Sequence, residues 1–401
     1  MLNLSKTHSK LETFILEFFF IGIFAYMPSA RFEDTILWAI AFLLFFAYSF
    51  IRFFDSRRVP IDKSIVWYVL FIFWGGASCI WAHDMFRFVI YLVLHASIII
   101  ASSICIRLYI QDTDDVDYIM KLMILAACFA GLRFSYYTPW DSIISSGYYM
   151  RGTFGSLLDD VTNYNSYTSH LCILTVIAIF YAIVKKVKWC RTAAILLFSI
   201  LVFGGSRKNL VIIPLIAIFF ALSMGSLSKK MRNLLVAIGI IILAFFALMS
   251  LDFLSQIRDT FFEMFIGLFS SKATDQSTME RIYLIQSAFR VWTENFFIGV
   301  GWDNFRYFNA LQLYAHNNYL ELLACLGIVG FTIYYGFYVK IFLEASLRIV
   351  RGISNEMDVL IIGILLSFLI QEYGSLTIYG REKLIILLMA FSAYSFKQNK
   401  K

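Results

Sequence analysis

Charge is scarce in this sequence. Charged residues make up 15% of the 401 positions, whereas soluble globular domains carry about 25%. Apolar residues reach 60%, above the roughly 45–50% found in soluble domains, and 18% of the residues are aromatic. This balance excludes an ordinary soluble globular protein.

Metal-ligand spacing is also missing. The cysteines stand singly within apolar runs with no C-x-x-C pair, and the five histidines form no H-x-x-x-H pair. We therefore predict no metal site and no cofactor, and we interpret the cysteines as small apolar core residues. They are Cys79, Cys105, Cys128, Cys172, Cys190 and Cys325.

Apolar runs of about 20 residues recur from one end of the chain to the other, and each is long enough to cross a bilayer core. The pattern predicts an all-α polytopic membrane protein that forms a single integral membrane domain over residues 1–401. The first run is expected to be retained rather than cleaved as a signal peptide. About twelve transmembrane helices are predicted, near residues 12–27, 35–54, 64–81, 87–110, 118–138, 166–184, 189–205, 208–224, 232–251, 318–340, 358–371 and 383–396.

The orientation follows from the basic residues. Of the 34 lysines and arginines, 21 share one side, at the two termini and in the loops after the second, fourth, sixth, eighth and tenth predicted spans, which leaves 34 − 21 = 13 on the other side. Basic loops remain in the cytoplasm, so both termini are expected there. The net charge of +7 is then a topology signal rather than a nucleic-acid footprint. Two longer loops, about 139–165 and 252–317, fall on the extracytoplasmic side, and loops of this length are usually functional.

The stretch from 281 to 330 holds the densest set of polar groups. Ser277-x-x-Glu280 is a capping-box pattern, and it precedes a predicted interfacial helix. The apolar stripe of that helix is expected to be Ile282, Ile285, Phe289 and Trp292. A turn at Gly299-Val-Gly301 and the run His316-Asn317-Asn318-Tyr319-Leu320-Glu321 follow, before a predicted span. A site facing the outer water layer explains this pattern, and an ordinary interfacial loop explains it equally well.

Several cations fall on the outer side, where membrane insertion does not require them. The predicted topology permits Arg151, Arg207, Arg281 and His316 to converge at one outer-leaflet pocket. A guanidinium group stays charged and grips phosphate oxygens in a bidentate manner, which suits a diphosphate. Taken singly, most of these arginines are better explained by snorkelling or loop salt bridges. Arg207, between two apolar runs, is the exception. Outer-loop aromatic residues such as Trp302, Phe305 and Tyr307 are candidates to stack on sugars, although an interfacial belt also explains them.

The motifs resemble those of the O-antigen polymerase/ligase superfamily (Wzy/WaaL). The resemblance covers roughly residues 150–340. It rests on Arg151-Gly152-Thr153-Phe154-Gly155, Gly205-Ser206-Arg207, Arg281, Trp292, Gly299-Val-Gly301, His316-Asn317-x-Tyr319-Leu320-Glu321, Gly327 and Gly330. The chain departs from the family where an Asn-Pro-Asn often follows the first motif. It also has Arg207-Lys208 where Arg-Gly is common.

This resemblance implies a metal-independent glycosyltransferase in the bacterial inner membrane, with its active site facing the periplasm. The donor would be an oligosaccharide on undecaprenyl diphosphate. The implied partners are this lipid-linked oligosaccharide, the bilayer and a chain-length regulator protein, with no nucleic acid. Arg207 and Arg281 would hold the diphosphate, and His316 would be the general base. Arg151, Asn165, Arg290, Asn317 and Glu321 would bind substrate.

Three functions compete. A polymerase that joins repeat units is preferred to a ligase that transfers glycan to the lipid A core, because the outer loops are of modest length and no lipopolysaccharide-binding feature is visible. A flippase or transporter would instead place charges within its spans, often with internal repeats and broken helices. The predicted spans are nearly free of charge, which favours the enzyme. A purely structural membrane protein gives no reason for the outward arginines.

Overall fold

The computed structural model describes residues 9–27, 32–56, 61–110, 112–136, 164–203, 207–223, 231–232, 235 and 276–399. The residues described form helices, turns and loops, with no strand among them. Their helices are α1 (Lys10–Ile21), α2 (Phe32–Ser56), α3 (Lys63–Ala77), α4 (Phe86–Tyr91), α5 (Ser97–Leu108), α6 (Thr113–Tyr136), α7 (Tyr164–Ile183), α8 (Lys188–Phe203), α9 (Arg207–Ser223), α10 (Gln276–Glu294), α11 (Asn318–Val350), α12 (Glu356–Glu372) and α13 (Arg381–Asn399). Nearly all of the predicted span 232–251 and of the loop 139–165, and residues 252–275 of the second long loop, lie outside the described residues.

Among the residues that the structure describes, five helical segments are long and apolar enough to cross a bilayer. They are Glu33–Phe54, Lys63–Ile80, Phe86–Leu108, Thr113–Tyr136 and Asn318–Val350. Shorter apolar helices cover Tyr167–Ile183 and Val211–Ser223. The α2 helix exposes large apolar side chains along one side, among them Leu43, Phe50 and Phe54. Such a surface is stable against lipid and not against water. The prediction of an all-α polytopic membrane protein is confirmed.

The chain divides into two compact units that interleave along the sequence. The first contains residues 1–45 and 117–272, and the second contains 46–116 and 273–401. Two of the three boundaries fall within α2 and α6, and the third lies between residues 272 and 273. Each unit is described by itself below. That the whole chain acts as a single integral membrane domain stays a prediction.

In the first unit, two polar side chains complete the end of α1. A π-helical turn, Gly22–Tyr26, follows α1 and leaves carbonyl groups without helical partners. His170 Nε2 lies 3.1 Å from the carbonyl oxygen of Phe24, and Arg133 Nη1 donates to that of Ala25 at 2.8 Å. Arg133 also forms a buried ion pair with Asp34, near the start of α2. These contacts join α1, α2, α6 and α7.

In the second unit, α11 is the central element and packs against α3, α10 and α12. The α4 and α5 helices are joined by a π-helical turn, Leu92–Ala96, and α5 packs against α13. Two kinds of helix end hold buried carboxylates in this unit. Glu321 is in the first turn of α11, where free N–H groups and the helix dipole favour negative charge. Glu372 is the last residue of α12, where free carbonyl groups and the dipole oppose negative charge, and tyrosine hydroxyls surround it instead. Tyr335 donates a hydrogen bond to Glu372 at 2.9 Å, while Tyr334 and Tyr338 lie 3.3–3.4 Å from it.

Candidate active site

The side of helix α10 that is buried in the protein differs from the apolar stripe in its sequence. Its buried residues are Leu284, Ser287, Ala288 and Val291, whereas Ile282 is 44% exposed and Phe289 is 52% exposed. The predicted apolar stripe is therefore not the side that packs within the protein. The buried side includes the small residues Ser287 and Ala288, which allow close packing between helices. The capping-box prediction is also wrong, because α10 begins at Gln276 and Ser277 already lies inside the helix.

The helix α11 is broken at Gly327, and the segment after α10 fills the break. Gly327 adopts φ 64° and ψ −171°, which interrupts the helical hydrogen bonds around it. Val300 N–H donates to the carbonyl of Ala324 at 2.9 Å, and Gly301 N–H donates to that of Cys325 at 2.8 Å. On the other side of the break, Ile328 N–H donates to the carbonyl of Phe296 at 2.9 Å. Backbone groups that would otherwise be orphaned within a span are thus satisfied.

This docking explains two glycines of the family-like motifs. Gly299 has φ 66°, and a Cβ atom there would lie 2.4 Å from the carbonyl atoms of Cys325. A Cβ atom on Gly327 would lie 2.2 Å from the carbonyl oxygen of Phe297. Each position needs both the left-handed backbone and the absence of a side chain. The turn predicted at Gly299-Val-Gly301 is therefore the piece that docks into α11.

Directly after the docked glycine turn comes Trp302, whose indole ring is buried. Trp302 packs against the rings of Phe71, Phe88, Tyr91 and Tyr379 and is 2% exposed. Phe305 is also fully buried. Neither ring has a face open to a sugar, so the expectation of sugar stacking is wrong for Trp302 and Phe305. Both are core residues.

An ion-pair network includes the residues that directly follow Trp302 in the sequence. Asp303 accepts from Arg306 Nη2 at 2.6 Å, and Arg87 Nη1 lies 3.8 Å from its other oxygen. Burial raises the pKa of Asp303, and the hydrogen bond from Arg306 opposes that rise. Tyr307 donates to Asp84 at 2.8 Å, and this bond lowers the pKa of Asp84. The network fixes the direction of the Arg306 guanidinium.

Tyr314 lies between the two predicted catalytic groups of this unit. Its ring centroid is 4.2 Å from that of His316. Burial and the carboxylate of Glu321 raise the pKa of Tyr314, while the charges of Arg281 and Arg306 oppose the rise. Arg281, Arg306 and Glu321 are therefore all electrostatic neighbours of one phenol. The structure brings Arg281, His316 and Glu321 into one neighbourhood and adds Arg306 to it.

His316 itself has an uncommon backbone. Its φ is 52°, in the left-handed region, which histidine enters more readily than most residues but at some cost. The side chain is half-buried. Asn317 follows as the N-cap of α11, and its Oδ1 accepts from Tyr319 N–H and Leu320 N–H at 3.0 and 3.2 Å. Substrate binding by Asn317 stays a prediction, and its amide oxygen already has two donors.

Glu321 is 1% exposed and is held by groups from two loops. Its Oε2 accepts from Ala315 N–H at 2.7 Å, and its Oε1 accepts from the Tyr379 hydroxyl at 3.2 Å. Tyr379 is a site residue that the sequence did not suggest, because it lies between α12 and α13, far beyond the motifs. Arg306 was recognisable as an outward cation, but nothing in the sequence distinguished it from the others.

The remaining predicted residues are placed less fully. Arg290 is exposed and nine residues from Arg281, about 2.5 helical turns, so it lies on the opposite side of α10. Arg207 is the first residue of α9 and Asn165 the second of α7, and their side chains are not described. Arg151 lies outside the described residues. Their roles stay predictions.

Comparison with known families supplies the decisive observation. Residues 192–335 match the family model Wzy_C, described as O-Antigen ligase. The segment 192–335 is therefore similar to this family, and it is called the Wzy_C domain below. The match includes α8, α9, α10, the docked glycine turn and the first half of α11, and it confirms the resemblance to the polymerase/ligase superfamily. Arg207, Arg281, His316 and Glu321 lie within the Wzy_C domain, whereas Arg151, Asn165 and Tyr379 lie outside it. No curated protein matches the chain.

Proposed function

We propose that this protein is a surface-polysaccharide polymerase that joins undecaprenyl-diphosphate-linked repeat units at the outer face of the bacterial inner membrane. The observation that carries the proposal is the grouping of Arg281 and His316 around Tyr314 within the Wzy_C domain. A glycosyl transfer from a lipid diphosphate needs one group that binds the leaving diphosphate and one that accepts a proton. Arginine and histidine are suited to these two tasks.

In the proposed reaction, an acceptor hydroxyl attacks the anomeric carbon of the donor sugar. The bond from that carbon to the diphosphate oxygen breaks, and undecaprenyl diphosphate leaves with the bonding electrons. His316 takes the hydroxyl proton, while Arg281 stabilises the negative charge that grows on the diphosphate. The sequence predicts the same role for Arg207. The described contacts of Arg306 with Asp303 keep its guanidinium oriented near the same phenol.

A ligase is the second candidate, because the matched family is described by that activity. Deleting the gene and separating the surface polysaccharide on a gel distinguishes the two. Single repeat units capped on lipid A would support the polymerase. Loss of all capped polymer, with accumulation of lipid-linked polymer, would support the ligase.

A transporter remains the alternative of another class, and the broken helix α11 is a feature that carriers share. In carriers, however, the freed backbone groups line a substrate cavity. Here the carbonyls of Ala324, Cys325 and Leu326 accept from Val300, Gly301 and the indole of Trp74. This use of the break for internal packing favours the enzyme.

The diphosphate assignment is tested at Arg281 and Arg207. Arg281→Lys and Arg207→Lys keep the charge but lose the bidentate fork, so neither is expected to rescue polymer formation, and the alanine variants should abolish it. Arg351→Lys, an exposed arginine just after α11, is the matched control and should retain activity. The measurement is polymer length in cells whose membranes contain normal protein levels. Full activity of the lysine variants would reduce the two arginines to generic positive charge.

A further inference from the structure

The carboxylate of Glu321 is buried, and the hydrogen-bond donors described for it are neutral groups. Its described partners are Ala315 N–H at 2.7 Å, the Tyr379 hydroxyl at 3.2 Å and the thiol of Cys325 at 3.6 Å. Within the described part of the chain, no lysine or arginine forms an ion pair with it. Burying a carboxylate is costly unless hydrogen bonds satisfy it. The arrangement therefore indicates that this carboxyl group is kept in place for its hydrogen bonds.

The bond to Ala315 has a clear structural role. Ala315 lies in a segment without regular secondary structure and is fully buried, so its N–H group cannot be satisfied by water. Glu321 supplies the acceptor. Two residues later, Asn317 is fixed as the helix cap. His316 is thus held between two anchored neighbours, and its left-handed φ of 52° follows from both anchors.

We propose that Glu321 and Tyr379 are positioning residues that hold the Tyr314–Asn317 turn so that His316 is presented to substrate. The proposal rests on the proposed function, because it takes His316 as the base. Glu321 is assigned this role instead of a direct contact with substrate, because both of its carboxylate oxygens already accept hydrogen bonds from the protein. Tyr379 brings the loop between α12 and α13 into the site, although this loop lies outside the Wzy_C domain.

The loop that carries Tyr379 is itself fixed to α11. Asn318 Oδ1 accepts from Thr377 N–H at 2.9 Å and from Ile378 N–H at 3.2 Å. Burial and the charge of Glu321 raise the pKa of Tyr379 well above its ordinary value, so the phenol remains a donor at physiological pH. A rigid donor on an anchored loop can therefore hold the Glu321 carboxylate in the orientation that Ala315 requires.

Two substitutions at Glu321 separate positioning from proton transfer. Glu321→Gln keeps an oxygen that can accept from Ala315 N–H, but an amide cannot accept a proton at neutral pH. Glu321→Ala removes the acceptor. A positioning role predicts that the glutamine variant stays within roughly tenfold of the wild-type polymerisation rate, because a neutral acceptor only weakens the hydrogen bond. The alanine variant should lose on the order of 10²-fold, because misplacing a catalytic group by about 1 Å has this effect.

Hydrogen exchange, followed by mass spectrometry on purified protein in detergent, reports the turn without reference to activity. Glu321→Ala should accelerate exchange in residues 309–317, Tyr379→Phe should do so to a smaller extent, and Glu321→Gln should not. Tyr338→Phe is the matched control: it removes a buried hydroxyl near another buried carboxylate, Glu372, and should leave this segment unchanged.

Two results would overturn the proposal. The first is a glutamine variant as inactive as the alanine variant with wild-type exchange, which would make Glu321 a proton acceptor or a substrate ligand. The second is wild-type exchange in Glu321→Ala. If the wild-type protein fails to polymerise a lipid-linked repeat unit, the proposed function fails, and the exchange experiment still decides whether the turn is held by Glu321.

Discussion

His316 and Asn317 are adjacent in sequence, but their side chains meet different requirements. Asn317 satisfies two N–H groups in the first turn of α11, as asparagine does at many helix starts. His316 has the left-handed backbone and packs its ring on Tyr314. Histidine is one of the residues that enter the left-handed region more readily, so the backbone of the turn assigns no role to the imidazole. The proposed role as a base has to be tested at the side chain itself.

For His316, we expect His316→Gln to retain normal protein levels and to lose roughly 10²–10⁴-fold in polymerisation rate, the usual contribution of general acid–base catalysis. Glutamine hydrogen-bonds but takes no proton at neutral pH. The measurement is product length over time with purified protein and a synthetic lipid-linked repeat unit. A wild-type rate would remove His316 from the reaction.

Asn317→Ala is expected to act on stability. It removes the two cap hydrogen bonds, which is worth on the order of 1 kcal/mol. The midpoint of thermal unfolding in detergent should fall, and Asn317→Asp, which keeps a cap acceptor, should restore it. A large loss of activity at unchanged stability, in both variants, would instead support the predicted contact with substrate.

At the residue scale, sequence reasoning succeeds where the partners are close along the chain. Arg281, His316 and Glu321 fall in one predicted stretch, and the structure brings them into one neighbourhood. The sequence alone could have shown that Arg290 does not lie beside Arg281. Nine residues along a helix are about 2.5 turns, so the two side chains point to opposite sides. Tyr379 could not have been found. It is 58 residues from Glu321 and reaches it only through the packing of the last helices.

At the scale of elements, α10 shows why periodicity alone does not identify the side of a membrane-associated helix that packs against protein. In a soluble protein the apolar stripe faces the core, since the alternative is water. In a membrane protein, lipid accepts Ile282 and Phe289 as readily as protein does, so the stripe does not identify the protein side. The packed face of α10 is the one with Ser287 and Ala288.

The break in α11 gives a prediction at this scale. Gly327→Ala places a Cβ atom against the Phe297 carbonyl at a left-handed position, so we expect destabilisation of at least about 1–2 kcal/mol. Gly336→Ala, in the same helix with no atom within 4 Å of its Cβ position, should instead be neutral or stabilising by up to about 1 kcal/mol. Thermal unfolding of both variants in detergent provides the measurement. Equal effects of the two substitutions would show that the docking of residues 296–301 does not require Gly327.

At the scale of the whole molecule, composition was sufficient for the fold class but not for the number of spans. The five long apolar helices coincide with predicted spans, because runs such as Glu33–Phe54 contain few charges. Helices such as α12 and α13 were also expected near their observed positions. The interleaving of the two compact units was not foreseen, since it depends on contacts between distant parts of the chain.

The orientation of the molecule is a prediction of this same scale. The part of α11 after the break at Gly327, residues 328–350, has 23 residues, and at 1.5 Å per residue it extends roughly 35 Å, more than the hydrocarbon core of about 30 Å. Ala310, before α11, and Ser354, after it, are both exposed. If basic loops set the topology, Ala310 faces the periplasm and Ser354 the cytoplasm. In a background without the six native cysteines, Ala310→Cys should react with a membrane-impermeant maleimide in cells whose outer membrane alone is permeabilised.

Ser354→Cys is the matched control and should react only after the inner membrane is broken, because the reagent cannot cross it. Both variants should react equally in detergent, which shows that each thiol is accessible in the folded protein. The reverse labelling pattern would place His316 and Arg281 on the cytoplasmic side. There they could not meet a lipid-linked glycan on the outer leaflet, so the proposed polymerase activity would fail together with the orientation.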